Sequence, residues 1–138
     1  MRARFRQNDQ GMTSPRSPFR VLLVDDEPVI RALVPAMLEG EGVEVRCVVN
    51  GAQALAEARR FRPDLILLDI VLPGLDGISA CRLLKSDPEL GEVPVHMLSS
   101  RARNAEHVAA RKAGANGFIE KPFKAQHLQA LVASLRAP

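Results

Sequence analysis

The chain contains no tryptophan and no tyrosine, and only five phenylalanines among its 138 residues. That scarcity leaves no aromatic platform on which single-stranded nucleic acid could stack. Cysteine is scarce as well. Cys47 and Cys81 are too few for a disulfide framework and lack metal-ligand spacing, so both read as free thiols in a reducing cytosol. No apolar run reaches the roughly 18 residues needed to cross a bilayer, and the stretch MRARFRQNDQGMTSPRSPF has no apolar core of a signal peptide. The expectation is a cytoplasmic protein without membrane insertion.

What remains is aliphatic. Hydrophobic residues make up 46% of the chain, ordinary for a globular protein, and the length suits one domain with a real core. The net charge is +3 and the pI about 9.3, which raises the question of nucleic acid. Position answers it. Residues 1–20 carry Arg2, Arg4, Arg6, Arg16 and Arg20 against Asp9, a net +4, whereas residues 21–138 carry 14 basic and 15 acidic side chains. The excess lies in a tail of dispersed arginines whose contacts would be weak and salt-sensitive. Residues 1–19 read as a disordered basic leader and residues 20–138 as the domain, which argues against nucleic acid as the partner.

From residue 20 the pattern alternates. Aliphatic runs occur at VLLV (21–24), VEVRCVV (43–49), LILLDI (65–70), VPVHML (93–98) and GFIE (117–120), their starts 22, 22, 28 and 24 residues apart. Between them lie helical patterns such as Ile30, Leu33, Val34, Met37 and Leu38. Glycine and proline punctuate the boundaries. Five strands alternating with five helices predict an α/β domain with a parallel sheet covered on both faces. Pro35 falls inside the first helical pattern and removes a hydrogen bond to Arg31, which predicts a kink. The fifth strand is short, and Asn116-Gly117 reads equally well as a turn.

In open α/β sheets ligands bind beyond the carboxyl ends of the strands. Here those ends carry Asp25-Asp26, Asp69, Ser99-Ser100 and Lys121-Pro122. Three carboxylates brought together need a compensating cation, and Mg²⁺, with its preference for a few carboxylates, waters and phosphate oxygens, suits them. A carboxylate beside a metal and a lysine can act as nucleophile toward a phosphoryl group. Each piece has a plainer reading. Asp25-Asp26 could cap the helix that begins near Pro28, Asp69 could turn its loop, Ser100 could cap the helix starting near Arg103, and Lys121 could be a solvated charge. Asp76 is the natural cap of the third helix. His96, inside the fourth strand, reads as packed or half-exposed, and His107 and His127 as surface residues.

The segments VLLVDDEP (21–28), PDLILLDIVLPGLDG (63–77), PVHMLSS (94–100) and GFIEKPF (117–123) together resemble the response-regulator receiver domain of bacterial two-component signalling. The likeness is to the chemotaxis-regulator type and covers about residues 20 to 136. It implies a flavodoxin-like, doubly wound five-stranded sheet of order 2-1-3-4-5. Asp69 matches the aspartate that accepts a phosphoryl group from a phosphohistidine. Asp25 and Asp26 match the acidic pair that holds Mg²⁺ together with Asp69 and the backbone carbonyl at Val71. Ser99 matches the hydroxyl that moves toward the phosphoryl group, Phe118 the aromatic that turns inward with it, and Lys121 the lysine that contacts its oxygens. Lys121-Pro122 matches a peptide bond that is typically cis, and Val71 and Arg101 match positions that tune the lifetime of the acyl phosphate.

The resemblance implies a signalling domain that catalyses only its own phosphorylation and slow self-dephosphorylation. Its expected partners are a sensor histidine kinase or histidine phosphotransfer protein and a downstream target protein, with a phosphorylation-dependent dimer as a further assembly. The first expectation for output is a stand-alone receiver, the alternative the receiver portion of a longer regulator with a DNA-binding or enzymatic domain. A magnesium-dependent phosphohydrolase would share the carboxylate rim but needs a second acid where this chain has Val71. A flavodoxin-type carrier would need a phosphate cradle, and DDEPVIR is acidic there.

Overall fold

The computed structural model describes residues 17–100 and 104–137. Most of the expected leader and Arg101 lie outside these residues. Strands and helices alternate as β1 (Phe19–Val24), α1 (Pro28–Met37), β2 (Val43–Val48), α2 (Gly51–Phe61), β3 (Leu65–Asp69), α3 (Gly77–Ser86), β4 (Val95–Ser99), α4 (Asn104–Lys112), β5 (Gly117–Glu120) and α5 (Ala125–Arg136). The five strands form one sheet in the order β2-β1-β3-β4-β5, all parallel. Among the described residues no helix is long and apolar enough to cross a membrane.

Alternating strand residues feed two cores, because successive side chains point to opposite faces. Leu22, Val24, Ile66, Leu68, Val95 and Met97 pack on one face with Ala54, Ala58 and Phe61 of α2 and Ala80 and Leu84 of α3. Val21, Leu23, Leu65, Leu67 and Leu98 pack on the other with Val34 of α1 and Leu128 and Val132 of α5. β3 is buried at all five positions. That two-sided burial explains its unbroken apolar run.

The domain starts slightly earlier than the charge pattern suggests. Phe19, the last residue of the expected leader, opens β1 opposite Val43 and is fully buried. Arg20, counted with the tail charge, belongs to the sheet. Its N–H donates to Asp64 Oδ2 at 2.8 Å, and its guanidinium donates to the Phe61 carbonyl at 2.9 Å. Of the five arginines among residues 1–20, Arg20 lies in β1.

Local capping follows the side chains available. Asn50 Oδ1 accepts from the Gln53 N–H at the start of α2. Asp76 Oδ1 accepts from the Ser79 N–H at 2.9 Å at the start of α3, as its position predicts. At α1 the N-cap is Glu27, which makes no side-chain cap bond, and Pro28 follows in the first turn. Asp25 and Asp26 therefore do not serve as that helix's caps. α1 continues through Pro35 as one helix. Cys47 Sγ sits 4.0 Å from the Arg31 carbonyl, the acceptor deprived of its helical partner by Pro35.

GFIE is a strand and not a turn, paired from His96↔Gly117 to Ser99↔Glu120. The half-buried His96 ring covers Gly117, where a Cβ would lie 2.6 Å from Nδ1. Burial pushes that imidazole below its ordinary pKa. Both cysteines are free, and burial holds each thiol above its usual value.

The β3–α3 loop folds back so closely that a Cβ on Gly77 would stand 2.0 Å from the Asp69 carbonyl oxygen and 2.7 Å from Ile70 Cα. Backbone cannot yield as a flexible side chain does. Gly77→Ala should therefore destabilise the domain by about 2–4 kcal/mol, beyond ordinary overpacking, read as a lowered urea midpoint at unchanged slope.

Candidate functional site

Sheet register brings the carboxyl ends of four strands together. The ladder runs one residue past β1, where the Asp25 N–H donates to the Val48 carbonyl at 3.1 Å. Asp69 ends β3 opposite Leu98, and Ser99 ends β4 opposite Glu120. The Lys121 N–H then donates to the Ser99 carbonyl at 2.7 Å, and the Lys121-Pro122 peptide bond is cis.

The Lys121 ammonium is the centre of the rim. Nζ lies 2.8 Å from Asp25 Oδ2, 2.6 Å from Glu27 Oε1 and 3.1 Å from Asp69 Oδ2. Asp25 is 0% exposed and Asp69 6%, and the Lys121 side chain is 9% exposed. Asp25 Oδ1 accepts the Glu27 N–H at 2.9 Å, and Asp69 Oδ1 accepts the Val71 N–H at 3.1 Å. Each buried carboxylate thus spends one oxygen on the backbone and turns the other toward lysine. The plain reading of Asp69 as a loop-turning residue holds for Oδ1 alone.

Asp25 Oδ2 has the Lys121 ammonium at 2.8 Å and, among the described residues, no further partner that satisfies it. A buried carboxylate oxygen whose close partner is one ammonium is a position that can take a further cation. Carboxylate oxygens of Asp25, Glu27 and Asp69 all lie within 4.8 Å of one another. This donor set of hard oxygens fits a small divalent cation better than a soft metal.

Charge and burial compete at Asp69. Burial first, then the neighbouring Asp25 charge, push its carboxyl up to about 6, against the pull of Lys121 and the Val71 N–H. Burial alone would lower the Lys121 pKa, but Asp25, Glu27 and Asp69 outweigh it and hold the ammonium above the usual lysine range.

Other expected residues sit nearby in different roles. Ser99 is buried at the same rim. Asp26 is exposed and outside the trio of close carboxylates; Glu27 takes the third place. The reading of DDEP stopped at its second acid, although the run itself offered the third. Val71 is 69% exposed. Phe118 is half-buried, and its ring stacks on His107 with centroids 4.0 Å apart and planes at 19°. The Arg111 guanidinium lies 5.3 Å from the same ring centre. His107 is thus not the free surface residue expected: the packing of α4 against β5 lays it on Phe118. His127 is exposed as expected.

The model of the response regulator receiver domain family matches residues 21–133. The chain belongs to that family. The receiver is 40% identical over 113 residues to the DNA-binding response regulator MtrA of Mycolicibacterium smegmatis, covering 82% of this chain and 48% of MtrA. It is 42% identical over 117 residues to the transcriptional regulatory protein CseB of Streptomyces coelicolor, covering 85% and 47%. The chain spans about half the length of these curated relatives. Among solved structures, the receiver domain of a sensor histidine kinase from Pseudomonas aeruginosa superposes with a TM-score of 0.79 at 36% identity, covering 86% of this chain and 98% of that one. That structure has a magnesium ion coordinated in its active site cleft. The chemotaxis protein CheY4 of Vibrio cholerae superposes with a TM-score of 0.81 at 28% identity, over 86% and 99%. The described domain is the receiver domain of a two-component response regulator.

The raised Asp69 value has a consequence for stability. Between the ordinary carboxylate range and about 6, the folded receiver binds a proton that the unfolded chain does not. Asp69 therefore favours folding at low pH, and that contribution is lost as pH rises through about 6. Asp69→Asn removes the penalty of ionisation. In metal-free buffer it should stabilise the receiver by about 1–3 kcal/mol at alkaline pH, an advantage that fades on acidification toward the ordinary carboxylate pKa. Thermal unfolding with a chelator present checks this.

Proposed function

We propose that the receiver accepts a phosphoryl group on Asp69 from a phosphohistidine of a sensor histidine kinase or phosphotransfer protein. The observation that carries this is the geometry of Asp69: a buried carboxylate with one oxygen tied to the Val71 N–H and the other 3.1 Å from the Lys121 ammonium. An Asp69 oxygen attacks phosphorus, the phosphorus–nitrogen bond breaks, and its electron pair returns to the imidazole that leaves. Lys121 neutralises charge on the phosphoryl oxygens as they arrive.

Asp25, Asp26 and Asp69, with the Val71 carbonyl, are the groups assigned to hold Mg²⁺. The ion supplies compensation for the charge of phosphate and carboxylates brought side by side. The fit is supported by the carboxylate oxygens gathered within 4.8 Å of one another beside a single ammonium. Ser99 donates its hydroxyl to the new dianion, and Phe118 moves into the space that opens, so the surface of α4, β5 and α5 changes for a downstream protein partner. This exchange requires the Phe118 ring to leave His107.

The same domain occurs alone or with further sequence: the chain covers 99% of CheY4 but 48% of MtrA. The phosphoacceptor chemistry proposed is the same in either setting. A phosphohydrolase reading finds no second acid, since the position two residues after Asp69 is the exposed Val71.

Incubation with radiolabelled acetyl phosphate tests the assignment. The wild-type receiver should label only with Mg²⁺ present, Asp69→Asn should not label at all, and undiminished labelling of the variant would overturn it. Small phosphate esters should show no turnover beyond slow loss of the protein's own label.

A further inference from the structure

We propose that Glu27 is the exchangeable counter-ion of Lys121, holding the ammonium while Asp69 is unmodified and giving way to the phosphoryl oxygen when it arrives. The inference rests on the phosphoacceptor reading of Asp69 and concerns a residue that this reading leaves without a part.

An ammonium has three N–H groups, and here three carboxylates crowd it at 2.6, 2.8 and 3.1 Å. The phosphoryl oxygens arriving on Asp69 compete with these carboxylates for the ammonium. Asp25 cannot withdraw cheaply. It is fully buried, its Oδ1 is tied to the Glu27 N–H, and its Oδ2 has, among the described residues, Lys121 at 2.8 Å and no other partner that satisfies it. Losing lysine would leave a buried charge uncompensated. Asp69 is the acceptor itself and cannot leave.

Glu27 differs from both. Its side chain is 57% exposed, so water can take over its carboxylate. It stands at the N-cap of α1 without making a side-chain cap bond, so the helix does not need the carboxylate where it is. Its backbone is fixed on both sides. The N–H donates to Asp25 Oδ1 at 2.9 Å, and the carbonyl accepts the Arg31 N–H at 3.1 Å. A change of side-chain rotamer therefore frees Lys121 without moving the strand end or the helix. Glu27 is a positioning residue: it acts through Lys121 and sets how readily the ammonium is released to the phosphoryl group.

The test is the affinity of the full chain for beryllofluoride, a mimic of the aspartyl phosphoryl group, followed by fluorine NMR with Mg²⁺ saturating for each protein. Saturation is set by a separate Mg²⁺ titration without beryllofluoride. Glu27→Ala and Glu27→Gln should bind about two- to fivefold tighter than wild type, the range an exposed ion pair supports. The gain should shrink toward one as ionic strength approaches about 1 M, where such pairs are screened. Glu39→Ala, which removes an exposed carboxylate at the far end of α1, should match wild type.

Unchanged or weaker binding by both Glu27 variants overturns the proposal. So does a gain that ignores salt, one shared by Glu39→Ala, or one that vanishes once each protein is saturated with Mg²⁺. If the wild-type receiver fails to bind beryllofluoride with Mg²⁺, the phosphoacceptor reading falls and takes this inference with it; binding by wild type with no effect at Glu27 removes the inference alone.

Discussion

The rim of this receiver depends on one ammonium. Asp25 and Asp69 are both withdrawn from water at adjacent strand ends, where two carboxylates would otherwise repel each other at close range with little solvent to screen them. Lys121 reaches both from β5's end, on the far side of β4, and is itself held charged by them. The compensation is incomplete. Burial and the Asp25 charge still hold the Asp69 carboxyl above its usual pKa. A site left with surplus negative charge has a standing affinity for a hard cation, and it is also where a dianionic group most needs positive charge to arrive beside it.

The rest of the fold serves that arrangement. Parallel register places the ends of β1, β3 and β4 and the residue after β5 on one edge. The two cores alternate through the strands, so none of these ends can shift by a single residue without turning its side chains to the wrong face. The β3–α3 loop presses Gly77 onto the backbone of Asp69, which limits where the acceptor can move. On the other side, the Phe118 ring of β5 stacks on His107, with the Arg111 guanidinium over it.

Much of this was legible in the order of residues. The βα alternation, the two-sided burial of LILL and the cap at Asp76 follow from periodicity and side-chain chemistry, because these are set by neighbours a few positions apart. Asp25, Asp69, Ser99 and Lys121 were found because strand ends converge in any open parallel sheet. Glu27 was not found, since nothing in DDEP tells which acid turns toward a lysine 94 residues away. His107 was misjudged for a similar reason: a histidine on a helix shows its surroundings only once that helix is laid against β5. Phe19 was placed at the end of a basic leader, whereas the ladder with β2 pairs it with Val43.

By itself the sequence determined the class of fold, the strands whose ends would meet and the acids and lysine available there, because hydrophobic period and turn residues act locally. Only the tertiary structure decided which oxygens face the ammonium, that Glu27 and not Asp26 completes the trio among the described residues, and that Phe118 leans on His107. Those outcomes depend on burial and on distances between residues far apart in the chain, and electrostatics in a dry pocket changes sign or size over a shift of an ångström or two.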